Sequence, residues 1–123
     1  MGHDVGVSGL KLSEGDLVDI PWREGKVTVT ALVLQTLPRV RAALLVAAMT
    51  GHVLTYGQLA IATGRAYPPR GMGDLLDLIS LDCIKRREPS LAALVVRSDT
   101  GAPGDAFIGD AAAEQRRCYA HPW

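Results

Sequence analysis

The segment spanning residues 53–73, VLTYGQLAIATGRAYPPRGMG, constrains the fold most, because it carries the start and stop signals of two consecutive short helices. Thr55 precedes the first helical pattern, and its hydroxyl is suited to accept from the free N–H groups of a first turn. Gly64 stands where a left-handed residue ends a helix at low steric cost. The pattern therefore predicts a helix over residues 56–63.

A second helix is predicted to follow the Pro68-Pro69 pair. Proline at a first helical position loses no hydrogen bond, so this helix is expected to begin at about Pro69 with Arg70 in its first turn. Its apolar stripe consists of Met72, Leu75, Leu76 and Ile79. The two helices together predict a helix-turn-helix. Arg70 at the leading end points to a nucleic-acid contact, and a surface pair with Asp74, four residues later, is the alternative.

The string Leu54-Thr55-Tyr56-Gly57-Gln58-Leu59-Ala60, followed by Gly64, resembles the DNA-binding region of the alkylguanine-DNA alkyltransferases and their alkyltransferase-like relatives. That family typically reads V-T-Y-G-Q-L-A and then a glycine, with A-R-A-V-G at the head of the recognition helix, where this chain has Pro69-Arg70-Gly71-Met72-Gly73. The resemblance implies a winged-helix fold with Arg70 as the intercalating arginine and Tyr56 beside the target phosphate. Small winged-helix proteins that share only the architecture fit the same pattern.

The family's acceptor motif, P-C-H-R-V-V followed by a Ser-Asp turn, survives only at its end. The chain reads LAALVVRSD over residues 91–99, so the family's cysteine falls on Ala92 and its histidine on Ala93. Alkyl transfer needs a thiolate and a neighbouring base, and alanine supplies neither. The sequence therefore predicts a protein that is not an enzyme and has no catalytic residues.

The predicted function is binding of DNA, with duplex favoured and bent or damaged duplex as a possible target, without modification of it. Phosphate contacts of this kind position a protein without specifying sequence. The residues expected to make the contacts are Thr55, Tyr56, Gln58, Arg65, Arg70 and Arg97. The formal net charge is zero, and this favours a rival from another class. That rival is a protein-interaction module, such as a small adaptor or a host-takeover or inhibitor factor, using the same helices.

The rest of the chain predicts one α+β domain over residues 16–123, winged-helix-like, with a strand and helix extension before the helix-turn-helix and a flexible lead over residues 1–15. Residues 16–22 and 27–30 are expected to form a hairpin around Glu24-Gly25. Residues 31–49 form a long apolar helix that Pro38 kinks or divides. The run LAALVV over residues 91–96 is expected to be a strand covered on both faces.

The C-terminal part is expected to supply a wing and a last helix. Residues 100–104 have a turn composition, and Phe107-Ile108 is expected to return as the other side of the wing. A helix over residues 110–119 would be capped by Asp110. Its solvated side is assigned Gln115, Arg116 and Arg117, and Tyr119 and Trp123 are expected to close over the core.

Other chemistry has weaker sequence support. His3, His52 and His121 are too scattered for a zinc spacing, and no nucleotide-binding glycine fingerprint occurs, so neither metal nor cofactor is expected. A nuclease or toxin using Asp105, Asp110 and His52 is the third functional reading. Cys83 is expected to be a buried apolar residue on the second helix, whereas Cys118 is not assigned.

The same sequence predicts an intracellular, cytoplasmic protein without a membrane partner. Pro38, Arg39 and Arg41 interrupt the apolar run of residues 31–49 short of the length that crosses a bilayer. The first residues lack the basic and apolar pattern of a secretory signal. Two cysteines do not make a disulfide framework, which agrees with a reducing compartment.

Overall fold

A computed structural model of the chain describes residues 9–68, 71–103 and 109–123. Four α-helices and four short strands are described, and together they confirm the predicted α+β class. The helices are α1 (Ala31–Thr50), α2 (Tyr56–Ala62), α3 (Met72–Arg86) and α4 (Ala111–Ala120), with a 3₁₀ helix over Leu91–Leu94. The strands are β1 (Leu17–Asp19), β2 (Lys26–Thr28), β3 (Leu54–Thr55) and β4 (Val95–Val96).

The predicted hairpin is confirmed, since β1 and β2 pair antiparallel with Val18 opposite Val27. Val27 and Val29 are fully buried, so the hairpin is anchored to the core by its second strand. Residues 9–15 belong to the stretch predicted as a flexible lead. In this part of the lead, Leu10 and Leu12 pack against the core, and the Gly15 N–H donates to the Val29 carbonyl.

Helix α1 is a single helix that contains Pro38. The Thr30 hydroxyl caps its start by accepting from the Val33 N–H, and Gly51 ends it with a φ of 74°. The prediction that the apolar run is too short to cross a bilayer is wrong, because by length and composition alone this helix could cross one, with a mean hydropathy of 1.4. Its buried residues, among them Val40 and Leu44, form part of the core of the fold.

The helix-turn-helix order predicted from the sequence is present as α2 followed by α3. Thr55 caps α2, and Gly64 has the expected left-handed backbone with a φ of 86°. The second helix is described from Met72, with Gly71 as its N-cap. Pro69 and Arg70 lie outside the described residues, so the predicted start at about Pro69 and the predicted contact of Arg70 both fall there.

The prediction of a continuous strand over residues 91–96 is wrong. Leu91–Leu94 forms a 3₁₀ helix, and only Val95–Val96 is extended, pairing in parallel with Leu54–Thr55. All six residues are buried. A continuous apolar run indicates that the segment is buried on every side. A buried helical turn produces this pattern as well as a buried strand does.

The predicted C-terminal helix is confirmed as α4, with the Asp110 carboxylate accepting from the Ala113 N–H. Gln115 was assigned wrongly to the solvated side, because its amide donates to the Ala93 carbonyl at 2.9 Å and it is half-buried. Trp123 packs against the core as expected, whereas Tyr119 is exposed. The predicted wing residues Phe107 and Ile108, together with Asp105, lie outside the described residues.

Candidate nucleic-acid interface

Two exposed arginines lie beside the turn that joins α2 to α3. Arg39 projects from α1 toward this turn, where a Cβ built on Gly64 would lie 3.3 Å from Arg39 Nη1. Arg65 follows Gly64 directly and has a left-handed backbone with a φ of 60°. Within the described part of the chain, neither side chain makes a hydrogen bond or an ion pair. Both guanidinium groups are therefore available to an external anion.

The zero net charge conceals an uneven distribution of paired and unpaired groups. Between residues 27 and 103, every described carboxylate is held in an ion pair: Asp74, Asp77, Asp82, Glu88 and Asp99. In the same range the exposed cations without a partner among the described residues are Arg39, Arg65, Lys85 and Arg87. Unpaired charge in this part of the chain is thus positive, which suits a phosphate backbone.

Thr55 and Gln58, predicted to hold a nucleic-acid backbone, are bound to each other by a capping box. The Gln58 N–H donates to Thr55 Oγ1 at 3.1 Å, and the Thr55 N–H donates to Gln58 Oε1 at 2.9 Å. These reciprocal bonds satisfy free donors at the start of α2. The capping box therefore gives both residues a role in stabilising the helix, independent of any ligand.

The two remaining polar candidates have different surroundings. Arg97 donates two hydrogen bonds to Asp99, from Nε to Oδ1 at 3.1 Å and from Nη2 to Oδ2 at 2.9 Å. These bonds lower the pKa of the Asp99 carboxyl. Part of the Arg97 charge is thereby compensated. Tyr56 is half-buried at the start of α2, and its ring lines a cleft rather than standing free on the surface.

Asp74, the alternative partner considered for Arg70, is bound by Arg23 of the hairpin. Arg23 Nη2 lies 2.9 Å from Asp74 Oδ1, and Arg23 Nε lies 2.9 Å from Asp77 Oδ2. Trp22 Nε1 also donates to Asp77 Oδ1 at 3.1 Å. Burial raises the pKa of Asp77 above 3.8, against the opposing hydrogen bond from Trp22 and the charge of Arg23. The hairpin therefore neutralises the acidic face of α3.

The cleft has a volume of about 430 Å³ and lies between the hairpin, α3 and α4. Its apolar walls include Trp22, Leu76, Ile84 and Ala92, and its polar lining includes the carboxylates of Asp77, Asp110 and Glu114. Ala92 occupies the position where the resemblance would put an acceptor cysteine. Tyr56 is the first residue of α2, whereas Arg65 follows the last residue of the helix, Ala62, by three positions.

Neither cysteine is suited to nucleophilic chemistry. Cys83 is buried as predicted, and burial raises its pKa to about 11. Cys118 is also buried, its thiol donates to the Ser90 carbonyl, and burial raises its pKa to about 12. A buried thiol of high pKa holds little thiolate at neutral pH.

Of the residues considered for a nuclease, His52 and Asp110 lie in the described part of the chain, and Asp105 lies outside it. His52 Nδ1 is 2.9 Å from Thr50 Oγ1 near the end of α1, whereas Asp110 caps α4. No group of three potential metal ligands occurs among the described residues.

Sequence reasoning missed Arg39 as an exposed arginine beside the turn between α2 and α3, and Arg23 as the partner of the α3 carboxylates. A signal for Arg39 was present, because Arg39 and Arg41 are two residues apart on one helix and must face different sides. Arg23 carried no comparable signal, since its partners are more than 50 residues away in sequence.

Comparison with known proteins adds no relative: no family model matches the chain, and neither a curated protein nor a solved structure matches it significantly.

Proposed function

We propose that this protein binds duplex DNA, without modifying it, through the turn between α2 and α3. The observation that carries the proposal is the pair of exposed arginines at the turn, Arg39, whose guanidinium lies beside Gly64, and Arg65, the next residue in the chain, neither of which has a partner among the described residues. Guanidinium groups bind phosphate through fork-shaped hydrogen bonds. Arg70, predicted at the head of the second helix, follows Arg65 in the sequence and would add a further basic side chain to this surface.

The roles within this proposal follow from the surroundings of each side chain. Arg39 and Arg65 contact the phosphate backbone, and Thr55 and Gln58 keep α2 ordered through the capping box. Arg97 contributes less, because Asp99 already binds it. Contacts of this kind position the protein on DNA and carry no sequence information.

The test is fluorescence anisotropy of a labelled DNA duplex titrated with the wild-type protein and with single alanine variants at Arg39, Arg65 and Arg70, over a series of salt concentrations. Each lost phosphate contact should reduce the slope of log K against log salt by about 1. Arg116→Ala is the matched control, because Arg116 is an exposed arginine on α4 without a partner among the described residues. Equal effects of the Arg39, Arg65 and Arg116 variants would contradict the assigned surface.

A second candidate, a protein-interaction module, is favoured by one observation. The outer face of α1 and α2 exposes large apolar side chains, with Val46 57%, Met49 63% and Ile61 58% accessible. A groove of about 570 Å³ runs beside them, lined in part by Ala43 and Leu54. Protein binding to this face would respond little to salt and would be lost in Val46→Glu, whereas DNA binding through phosphates would weaken steeply as salt rises.

A further inference from the structure

We propose that the cleft between the hairpin, α3 and α4 binds a small organic cation, an ammonium group carried on an aromatic or aliphatic body. The site is separate from the arginine pair, and the inference does not depend on DNA binding. The cleft has the volume and the mainly apolar lining of a small-molecule site.

The walls of the cleft favour a ligand with an apolar body. Trp22, Leu76, Ile84 and Ala92 surround the space, and Trp22 is held in place by the bond from its indole N–H to Asp77. A fixed aromatic wall favours a flat or compact apolar body. A cation next to such a ring also gains from the negative potential of its face.

The charge of the ligand follows from the balance of the lining groups, which are the carboxylates of Asp77, Asp110 and Glu114 and the cation of Arg117. Asp77 is bound to Arg23, and Glu114 is bound to Arg117 and to the Ser90 N–H, so these charges compensate one another. Asp110 differs from both, because it is exposed and makes no ion pair within the described chain. Among the described residues its carboxylate makes one hydrogen bond, the helix cap, in which Oδ1 accepts from the Ala113 N–H. Asp110 is therefore the carboxylate that is open to an ammonium group at the edge of an apolar space.

The position of Gly73 provides a way to close the cleft without damaging the fold. Gly73 lies in α3 and lines the cleft, and a Cβ built on it meets no atom within 4 Å. A larger side chain at this position enters the cleft, and replacing a glycine inside a helix also stabilises the helix.

The experiment is an NMR titration of the full chain with benzylammonium, benzyl alcohol and benzoate, which share a ring and differ in charge. The indole N–H of Trp22 reports on the cleft. The indole N–H of Trp123, which donates to the Cys118 carbonyl at 2.8 Å, is the internal reference. We expect benzylammonium to shift the Trp22 signal, benzyl alcohol to bind more weakly and benzoate to have no effect.

Two variants test separately the charge interaction with Asp110 and the occupation of the cleft. Asp110→Asn keeps the helix cap, since asparagine caps as well as aspartate does. It should weaken benzylammonium binding about threefold, the effect of one exposed charge pair, and leave benzyl alcohol unchanged. Gly73→Leu should abolish binding of both ligands, whereas Ala112→Leu, on the exposed face of α4, should change neither.

Binding of benzoate as tight as that of benzylammonium would overturn the proposed charge preference. Unchanged binding in Gly73→Leu, with the variant folded, would show that the ligand does not occupy the cleft. The absence of a Trp22 shift with any of the three ligands would overturn the proposal as a whole.

Discussion

The inner and outer faces of α1 place two arginines in opposite environments, although only one residue separates them in sequence. Arg41 faces inward, with 19% of its side chain exposed, and lies 3.5 Å from Asp82 and 3.0 Å from Glu88. Arg39 faces outward and has no partner among the described residues. The comparison shows that an arginine acts as a structural or a binding residue according to whether the fold supplies its carboxylates.

Substitution of Arg41 should produce the largest effect of those considered. Arg41→Leu leaves Asp82 and Glu88 partly buried without one of their cations, and breaking such a pair costs about 3 kcal/mol. Arg39→Leu is the matched control and should change the free energy of unfolding by less than about 0.5 kcal/mol, as surface substitutions usually do. Urea unfolding measures both values. Similar losses in the two variants would remove the distinction between the two faces of α1.

The buried ion pairs around Arg41 also hold the N-terminal segment. Asp82 Oδ2 accepts from Arg86 Nε at 2.9 Å, and Asp82 Oδ1 accepts from the Leu10 N–H at 2.9 Å. A Cβ built on Gly9 would clash with Asp82 Oδ1. The carboxylate that binds Arg41 therefore also binds the N-terminal segment, at Leu10.

Loss of the α2 cap should have a smaller effect. Thr55→Ala removes the hydroxyl that accepts from the Gln58 N–H and should lower the free energy of unfolding by about 1 kcal/mol. Thr55→Ser retains the acceptor and is the matched control. Since the capping box already explains Thr55, we expect DNA affinity in Thr55→Ser to equal that of the wild type. A loss of affinity in Thr55→Ser, at unchanged stability, would show that the threonine methyl contacts the ligand.

The local elements were predictable because their signals are local. The cap at Thr55, the stop at Gly64 and the cap at Asp110 are each written in a few neighbouring residues, and all three are present in the structure.

The contacts between elements that are far apart in sequence could not be predicted from such local signals. The 3₁₀ turn of Leu91–Leu94 depends on burial against neighbouring elements, and an apolar run does not distinguish it from a strand. The pairing of Arg23 with the α3 carboxylates joins the hairpin to a helix far away in sequence. The sequence contains thirteen basic and thirteen acidic side chains. The proposed DNA interface depends on which of these side chains remain unpaired in the fold, and a count of charges does not give that information.

The smallest expected effect concerns Asp77, whose partner Arg23 is intermediate between Arg41 and Arg39, with 35% of its side chain exposed. Because burial raises the pKa of Asp77 in the folded protein above 3.8, the folded state holds the proton more tightly than the unfolded chain does. The resulting stabilisation is complete below pH 3.8 and is lost as the pH rises through the folded pKa.

Asp77→Asn isolates this contribution, since its amide oxygen is still able to accept from the Trp22 indole. The free energy of unfolding of the wild type, relative to that of Asp77→Asn, should therefore fall as the pH is raised from acid to neutral. Urea unfolding at a series of pH values measures the difference. A rise instead of a fall would mean that attraction to Arg23 outweighs the cost of burying the carboxylate. Arg23 would then belong with Arg41, as an arginine whose pairing stabilises the fold.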